Sequence, residues 1–404
     1  MRLVGVFAAA LAPWLLACGG APEAPSPAPV EAPRRALWVL AEGSQRVLEN
    51  PARLDGLLED AAQLGVTDLF VQVYRGGRAW FDSSRADAGP YRALVEKNGG
   101  DTLRELLDRA HGDGLRVHAW VNVLSNANRR ETPPVEGLGR EATQVDRMGR
   151  SVLDYPDLEV PPPDRSYYRM GTPAVWLDPA VPGVVEHLVG TFTELVERYP
   201  GLDGLHLDYI RYPDVLPFIP GSRFGVGLEF GFGEVARRRF REETGVQAPA
   251  GTSTRNANRF DDWRRAQVTG LVARIRESTR AVDPDLALSA AVWAWPDRAY
   301  LSMFQDWRGW LESGLLEFAV PMLYTRDERL LRYNSRAFTR GVGGERVWIG
   351  LGAWLFSRQP ETAVEQLREV SALEPAGVAL FSWDALADAP ELRDALAEES
   401  GRGG

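Results

Sequence analysis

Cysteine is almost absent from this chain. Cys18 is the only one in 404 residues, which excludes a disulfide framework and a thiolate metal site. Histidine is nearly as scarce. His111, His118, His187 and His206 show neither HExxH nor another paired-ligand spacing, so no zinc and no other metal is expected. Positive charge is in deficit: the net charge of −10 argues against a nucleic-acid partner, which needs a basic face. Nor is there a basic run suited to anionic lipid. A phosphate-cradling GxGxxG is missing after the first strand-like run, where Ala41-Glu42-Gly43-Ser44 stands instead. That tells against an open doubly wound sheet, and no cofactor is called for.

Aromatic residues, by contrast, are plentiful, with 13 Trp, 11 Tyr and 15 Phe. Most belong to core packing. A minority are expected as stacking platforms, because a sugar ring presents a flat apolar C–H face to an aromatic ring.

The first residues are addressing. Met1-Arg2 is a short positive start, Leu3 to Leu16 is apolar, and Leu15-Leu16-Ala17 leads into Cys18. A stretch this short is a signal peptide and not a spanning helix. It resembles a bacterial lipoprotein signal, cut before a cysteine that is then lipidated. Residues 1–17 are thus expected to be removed, and Cys18 to anchor an exported envelope protein in a membrane. Residues 18–34, rich in Ala, Pro, Glu and Ser, read as a semi-extended tether.

From Arg35 to about residue 400 one unit recurs: a β-branched or aromatic run, a loop, then a helical pattern. The runs are Ala36–Leu40, Asp68–Tyr74, Arg116–Leu124, Gly204–Tyr209, Leu286–Trp293, Phe318–Tyr324, Arg346–Ala353 and Gly377–Trp383. Amphipathic stretches lie between them at Pro51–Leu64, Thr102–His111, Val184–Tyr199, Arg259–Val282, Phe304–Ser313, Glu361–Leu373 and Pro390–Glu398. Continuous apolar runs alternating with helices give a parallel sheet, and eight such units give a (β/α)8 TIM barrel in one domain. Gly65, Gly114, Gly201 and Gly314 stand where helix C-terminal caps belong. The connections after strands three and four, Ser125–Ala174 and Asp214–Asn258, are oversized. Both leave the carboxyl ends of strands, where barrel enzymes keep their chemistry. Phe218, Phe224, Phe230 and Phe232 among glycines suit the second as an apolar lid.

Within Leu202-Asp-Gly-Leu-His-Leu-Asp-Tyr-Ile-Arg-Tyr-Pro213, strand alternation points Leu205 and Leu207 outward and His206 and Asp208 toward the barrel axis. Asp208 is the last inward residue before the loop. A carboxylate there needs partners, and Tyr209 and Arg211 are the local candidates.

This run resembles the strand-four signature of the glycosyl-hydrolase-like barrel lipoproteins, the family that includes the hydrolase of denuded peptidoglycan glycans. Arg35–Val39, Asp68–Tyr74, His118–Asn122, Trp176–Pro179, Pro321–Tyr324, Gly350–Gly352 and Phe381–Trp383 resemble further strands and turns of that family, in order. At Asp178 the family more often has asparagine. The resemblance implies hydrolysis of glycosidic bonds in an envelope polysaccharide, peptidoglycan strands first among them.

Such chemistry takes two carboxyl groups, an acid and a nucleophile or base. Asp208 is the first. Related barrel hydrolases carry a glutamate near the end of strand five, where this chain has Ala294-Trp295-Pro296-Asp297. Asp297 leads for the second role, in an apolar setting that would hold its proton, ahead of Glu42. Asp178 and Asp384 are also open, each with an alternative at a helix start. Gln72, Asn122 and Tyr324 offer polar contacts to sugar, and Trp120, Trp295, Trp354 and Trp383 could stack on it. His206 is a candidate contact, and His118 is expected as a core histidine. Two rival readings remain: a non-catalytic polysaccharide-binding lipoprotein, and a hydrolase of an exopolysaccharide or an amide. A monomer is expected.

Overall fold

The computed structural model describes residues 34–154, 169–170, 172, 174–216, 229–249, 256–341 and 343–402. Cys18, the expected signal and the tether up to residue 33 lie outside them, as do Phe218 and Phe224. The barrel belongs to one compact unit, Pro33–Gly404.

Eight parallel strands close on themselves: β1 Arg34–Val39, β2 Asp68–Arg75, β3 Arg116–Asn122, β4 Gly204–Asp208, β5 Ala287–Trp293, β6 Phe318–Met322, β7 Trp348–Gly352 and β8 Gly377–Phe381. Each pairs with its sequence neighbour, and β1 pairs with both β2 and β8, so no barrel edge is left open. The expected (β/α)8 barrel is what forms. The connecting helices are α1 Leu54–Gln63, α2 Thr102–Gly112, α3 Pro182–Arg198, α4 Ala257–Val282, α5 Trp307–Glu312, α6 Glu328–Arg340, α7 Pro360–Ser371 and α8 Pro390–Arg402. Gly65, Gly114, Gly201 and Gly314 all take positive φ at helix ends, where a side chain would strain the backbone.

Side-chain alternation divides the strands between two cores. Outward residues such as Leu37, Leu69, Val71, Val117, Leu205 and Leu207 join one cluster with the helices. Inward residues Trp38, Phe70, Trp120, Phe318, Val320 and Trp348 fill the barrel. The barrel floor is polar. Asp68, on the first turn of β2, binds His118 Nε2 at 2.9 Å and pairs with Arg34 and Arg116. Burial opposes its ionisation, but His118 and Arg34 outweigh this and hold its carboxyl well below the usual range. His118 is therefore a partnered core histidine.

The two insertions pack against each other over the carboxyl ends of the strands. Arg169–Met170 pairs antiparallel with Val215–Leu216, Asp146 bridges to Phe230, and Phe232 N–H donates to Val145. Phe230 and Phe232 are buried, and Phe232 stands edge-on to Phe260 at 5.2 Å. These two phenylalanines are fixed packing and not the faces of a lid.

Candidate active site

Asp208 closes β4 with its side chain at the catalytic mouth. Its Oδ1 accepts the Tyr209 amide at 2.7 Å and its Oδ2 the Trp120 indole N–H at 3.2 Å. Tyr209 reaches this geometry at φ 52°, a left-handed conformation uncommon for a bulky residue and costly unless the surroundings impose it. The carboxyl is 7% exposed. Burial lifts its pKa to about 6 against the opposing pull of the Tyr209 amide, Arg211 and Trp120. Desolvation wins because the charged form loses more water than two N–H donors replace.

The neighbourhood supplies further polar groups. Asn122 stands opposite Asp208 in the β3–β4 register and accepts from Gln72 Nε2 at 3.2 Å, while Gln72 Oε1 accepts the Ala41 amide at 3.3 Å. Tyr324, beyond β6, has a buried hydroxyl with no hydrogen-bond partner among the described residues. Burial, and then the nearby charge of Asp208, raise its pKa well above the usual phenol range. A neutral, unengaged phenol beside a carboxyl is a donor waiting for a ligand oxygen.

Arg211 departs from expectation. Its guanidinium pairs with Asp214 at 3.0 Å and not with Asp208. The carbon of that guanidinium lies 5.0 Å from the Trp176 ring, 5.3 Å from Tyr209 and 5.4 Å from Trp293. Three rings thus enclose a paired cation, which braces the loop after β4 and touches Asp208 only through its field.

Glu42, after β1, is gripped by Arg75 and Arg78. Its partial burial works to raise its pKa, but Arg78 and then Arg75 carry it below the ordinary value. Glu42 is therefore a fixed anion, unsuited to donating a proton. The sequence singles out neither arginine; Arg75 ends β2, Arg78 follows Gly76-Gly77, and their spacing carries no motif.

Several expectations need correction. Asp297 is exposed at the start of the short helix Pro296–Ser302, and the preceding Trp295 is itself 38% exposed. The expected apolar setting is absent, because Asp297 faces outward on the first turn and the N-cap Trp295 is exposed beside it. His206 lies too deep for a substrate contact. It stacks on Phe70 at 4.1 Å and 7°, accepts the Trp38 indole N–H at Nε2 and bonds Ser289 through Nδ1. Burial, with the nearby His118, pushes its pKa well down, so it is a neutral core ring. Trp383 packs in the outer core, its indole donating to Asp60 at 2.9 Å. Asp178 is buried in the turn before α3, its Oδ1 accepting the Ala180 amide at 2.9 Å. Asp384 accepts the Leu40 and Gln45 amides and ties the loop after β1 to β8. Trp354 is 49% exposed beyond β7, and its indole lies beside Gly352 and Tyr324. Among the described residues it and Trp295 are the exposed tryptophans.

Among the described residues no group of His, Cys, Asp and Glu could hold a metal. A buried carboxyl with a raised pKa at the end of a barrel strand, with a buried phenol within its field, is suited to acid–base work on a polar substrate.

Known proteins agree with this architecture. The chain is 26% identical over 380 residues to the glycosyl hydrolase DigH of Escherichia coli O6:H1, spanning 89% of this chain and 75% of that protein. Against DigH of Escherichia coli K12 it is 26% identical over 300 residues, 70% of this chain and 59% of the relative. The glycosyl hydrolase YngK of Bacillus subtilis is 22% identical over 317 residues, 72% and 54% of the two chains. Among solved structures, a β-galactosidase from Marinomonas ef1 superposes with a TM-score of 0.59 at 15% identity, covering 92% of this chain and 59% of that one. The catalytic domain of a Paenibacillus polymyxa β-amylase gives 0.55 at 12% identity, covering 90% and 94%. At such identities these structures speak for the fold alone. The family model described as glycosyl hydrolase-like 10 matches residues 33–338, and the chain belongs to that family.

Proposed function

We propose that the protein hydrolyses glycosidic bonds in an envelope polysaccharide, peptidoglycan glycan strands first, with Asp208 as the proton donor. The observation that carries this reading is the Asp208 carboxyl itself, buried at the end of β4 with a pKa of about 6. Such a group is still about half protonated at pH 6 and can deliver its proton to a leaving glycosidic oxygen. Glu42 is proposed as the ionised partner, because Arg75 and Arg78 keep it charged and a cation-like transition state calls for a negative charge. Tyr324 would donate to a sugar hydroxyl, and Trp354 would carry a ring face.

The test is turnover of purified, peptide-free glycan strands followed by release of reducing ends. Cleavage by the unaltered protein that vanishes in Asp208→Asn supports the reading. Tight binding with no turnover would favour a polysaccharide-binding protein instead.

The proposed setting is the cell envelope, through lipidation of Cys18. Cys18→Ala is expected to be exported but to leave the membrane fraction, since stable anchoring needs more than one acyl chain. Retention of that variant in the membrane would contradict the anchor. Among the described residues no helix is long and apolar enough to cross a membrane.

A further inference from the structure

The second insertion holds a helix that sequence reasoning did not see, Glu234–Thr244, with the sequence EVARRRFREET. Val235, Ala236 and Phe240 bury one stripe of it, Ala236 and Phe240 against Ala180, Phe260 and Trp263 and Val235 in the main core. That stripe turns Arg237, Arg238 and Arg241 outward, where all three are exposed. Together with Arg147, Phe232 and Glu234 they line a cavity of about 380 Å³, within the size range of small-ligand sites.

The chain carries a net charge of −10, a field that repels polyanions. Arg147 is already paired with Glu229, and Arg239 with Glu243. The guanidiniums of Arg237, Arg238 and Arg241 make no ion pair or hydrogen bond among the described residues. Glu234 offsets one of them, so the cavity keeps an excess of positive charge. Three unpaired arginines around one hollow repel each other unless an anion joins them. Arginine's planar fork matches a carboxylate bidentately, and Phe232 adds an apolar floor.

Its position ties it to the catalytic mouth. Tyr209, next to Asp208, packs edge-on against Trp176 at 5.7 Å. Trp176 accepts the Gln144 amide, and from there the chain runs through Val145, bonded to Phe232, to Arg147 at the cavity. Both insertions leave the carboxyl ends of their strands, the end at which Asp208 closes β4.

We propose that Arg237, Arg238 and Arg241 form a distal subsite for the carboxylates of an acidic glycan that extends outward from the catalytic mouth. This rests on the hydrolase reading for the identity of the ligand as a glycan. A chain whose sugars carry free acid groups is preferred over the same chain with those groups masked as amides or reduced to alcohols. The subsite lowers KM for polymer and leaves the bond-breaking step untouched.

The test is equilibrium binding by the full protein carrying Asp208→Asn, so that glycan is not cut. The probes are peptide-free peptidoglycan strands, whose lactyl groups are free acids, and the same strands with those acids reduced to alcohols. Adding Arg237→Gln, Arg238→Gln and Arg241→Gln together is expected to weaken binding to the acidic strands about tenfold. Reduced strands should bind both proteins equally and weakly, and the salt dependence seen with the acidic strands should disappear. In the catalytic background the triple change should raise KM for acidic strands with kcat unaltered. Equal affinity of the triple variant for acidic strands overturns the proposal, and so does an equal loss on both probes. Because binding is read without turnover, a protein that never cleaves glycan still shows or lacks the carboxylate dependence, and the two readings fail separately.

Discussion

Trp120 and Asp208 are joined across β3 and β4 by one hydrogen bond, the indole N–H to Oδ2 at 3.2 Å. It favours the ionised carboxyl, so it opposes the burial that lifts Asp208 to about 6. Trp120→Phe keeps the ring in the barrel and removes only the donor. The Asp208 value must then rise. If Asp208 acts as the acid, activity persists to higher pH, because the proton is kept longer. The pH profile of kcat/KM reads this directly: the alkaline limb should move upward by less than one unit, with activity at the optimum reduced several-fold. An alkaline limb that stays put or moves down contradicts the role.

Burial of Asp208 has a stability consequence of known sign. The carboxyl's value rises from 3.8 to about 6 on folding, so the native chain binds that proton more readily than the unfolded one. The ionised group therefore destabilises the fold above pH 6, by at most about 3 kcal/mol. This penalty fades as the pH falls toward 4. Asp208→Asn is expected to raise Tm by a few degrees at pH 7.5 and to leave it unchanged at pH 4. Calorimetry showing a lower Tm at pH 7.5 would contradict the buried, proton-retaining carboxyl.

Much of this was legible in the primary structure. The eight runs became β1 to β8 because strands buried on both sides are mostly apolar, as Leu205 and Leu207 outside β4 illustrate, while the polar His206 inside it is tolerated because Ser289 and Trp38 satisfy its ring. Helix α6 escaped notice because its buried stripe is Leu331, Asn334, Ser335 and Phe338, half of it polar. Glu234–Thr244 was hidden in the same way, its apolar face only three residues wide. Strand alternation also pointed to Asp208. Depth along a strand is a different matter: His206 and Asp208 share a face, yet one is core and the other mouth. Arg211 turned to Asp214, and Asp297 turned outward, because loops beyond a strand end carry no period to read.

Glu42 and its arginines give another check. Arg78→Gln removes the largest influence holding the Glu42 carboxyl below its ordinary value, so that value should rise. If an ionised Glu42 is required, the acid limb of the kcat/KM profile shifts upward in Arg78→Gln. Glu42→Gln should lose about 10²-fold or more in kcat. Full activity in Glu42→Gln removes it from the mechanism and leaves its ion pairs as bracing.

Trp354 and Trp383 are predicted to behave in opposite ways. Trp354 is exposed at the mouth, so Trp354→Ala should raise KM for glycan about tenfold, with kcat within about twofold and Tm unchanged. Trp383 is buried and bonded to Asp60. Trp383→Phe should cost about 1–3 kcal/mol of stability and no activity per folded molecule. Denaturant unfolding alongside steady-state kinetics separates the two, and an exchange of these phenotypes would contradict the placement of both rings.

The central claim is tested most directly by turnover of peptide-free glycan strands by purified Asp208→Asn beside the unaltered protein at pH 6. The account predicts cleavage by the unaltered protein and a loss of roughly 10³-fold or more in the variant, equivalent to about 4 kcal/mol of transition-state stabilisation. The variant should remain folded by circular dichroism. Near-equal turnover by a folded Asp208→Asn protein would contradict it.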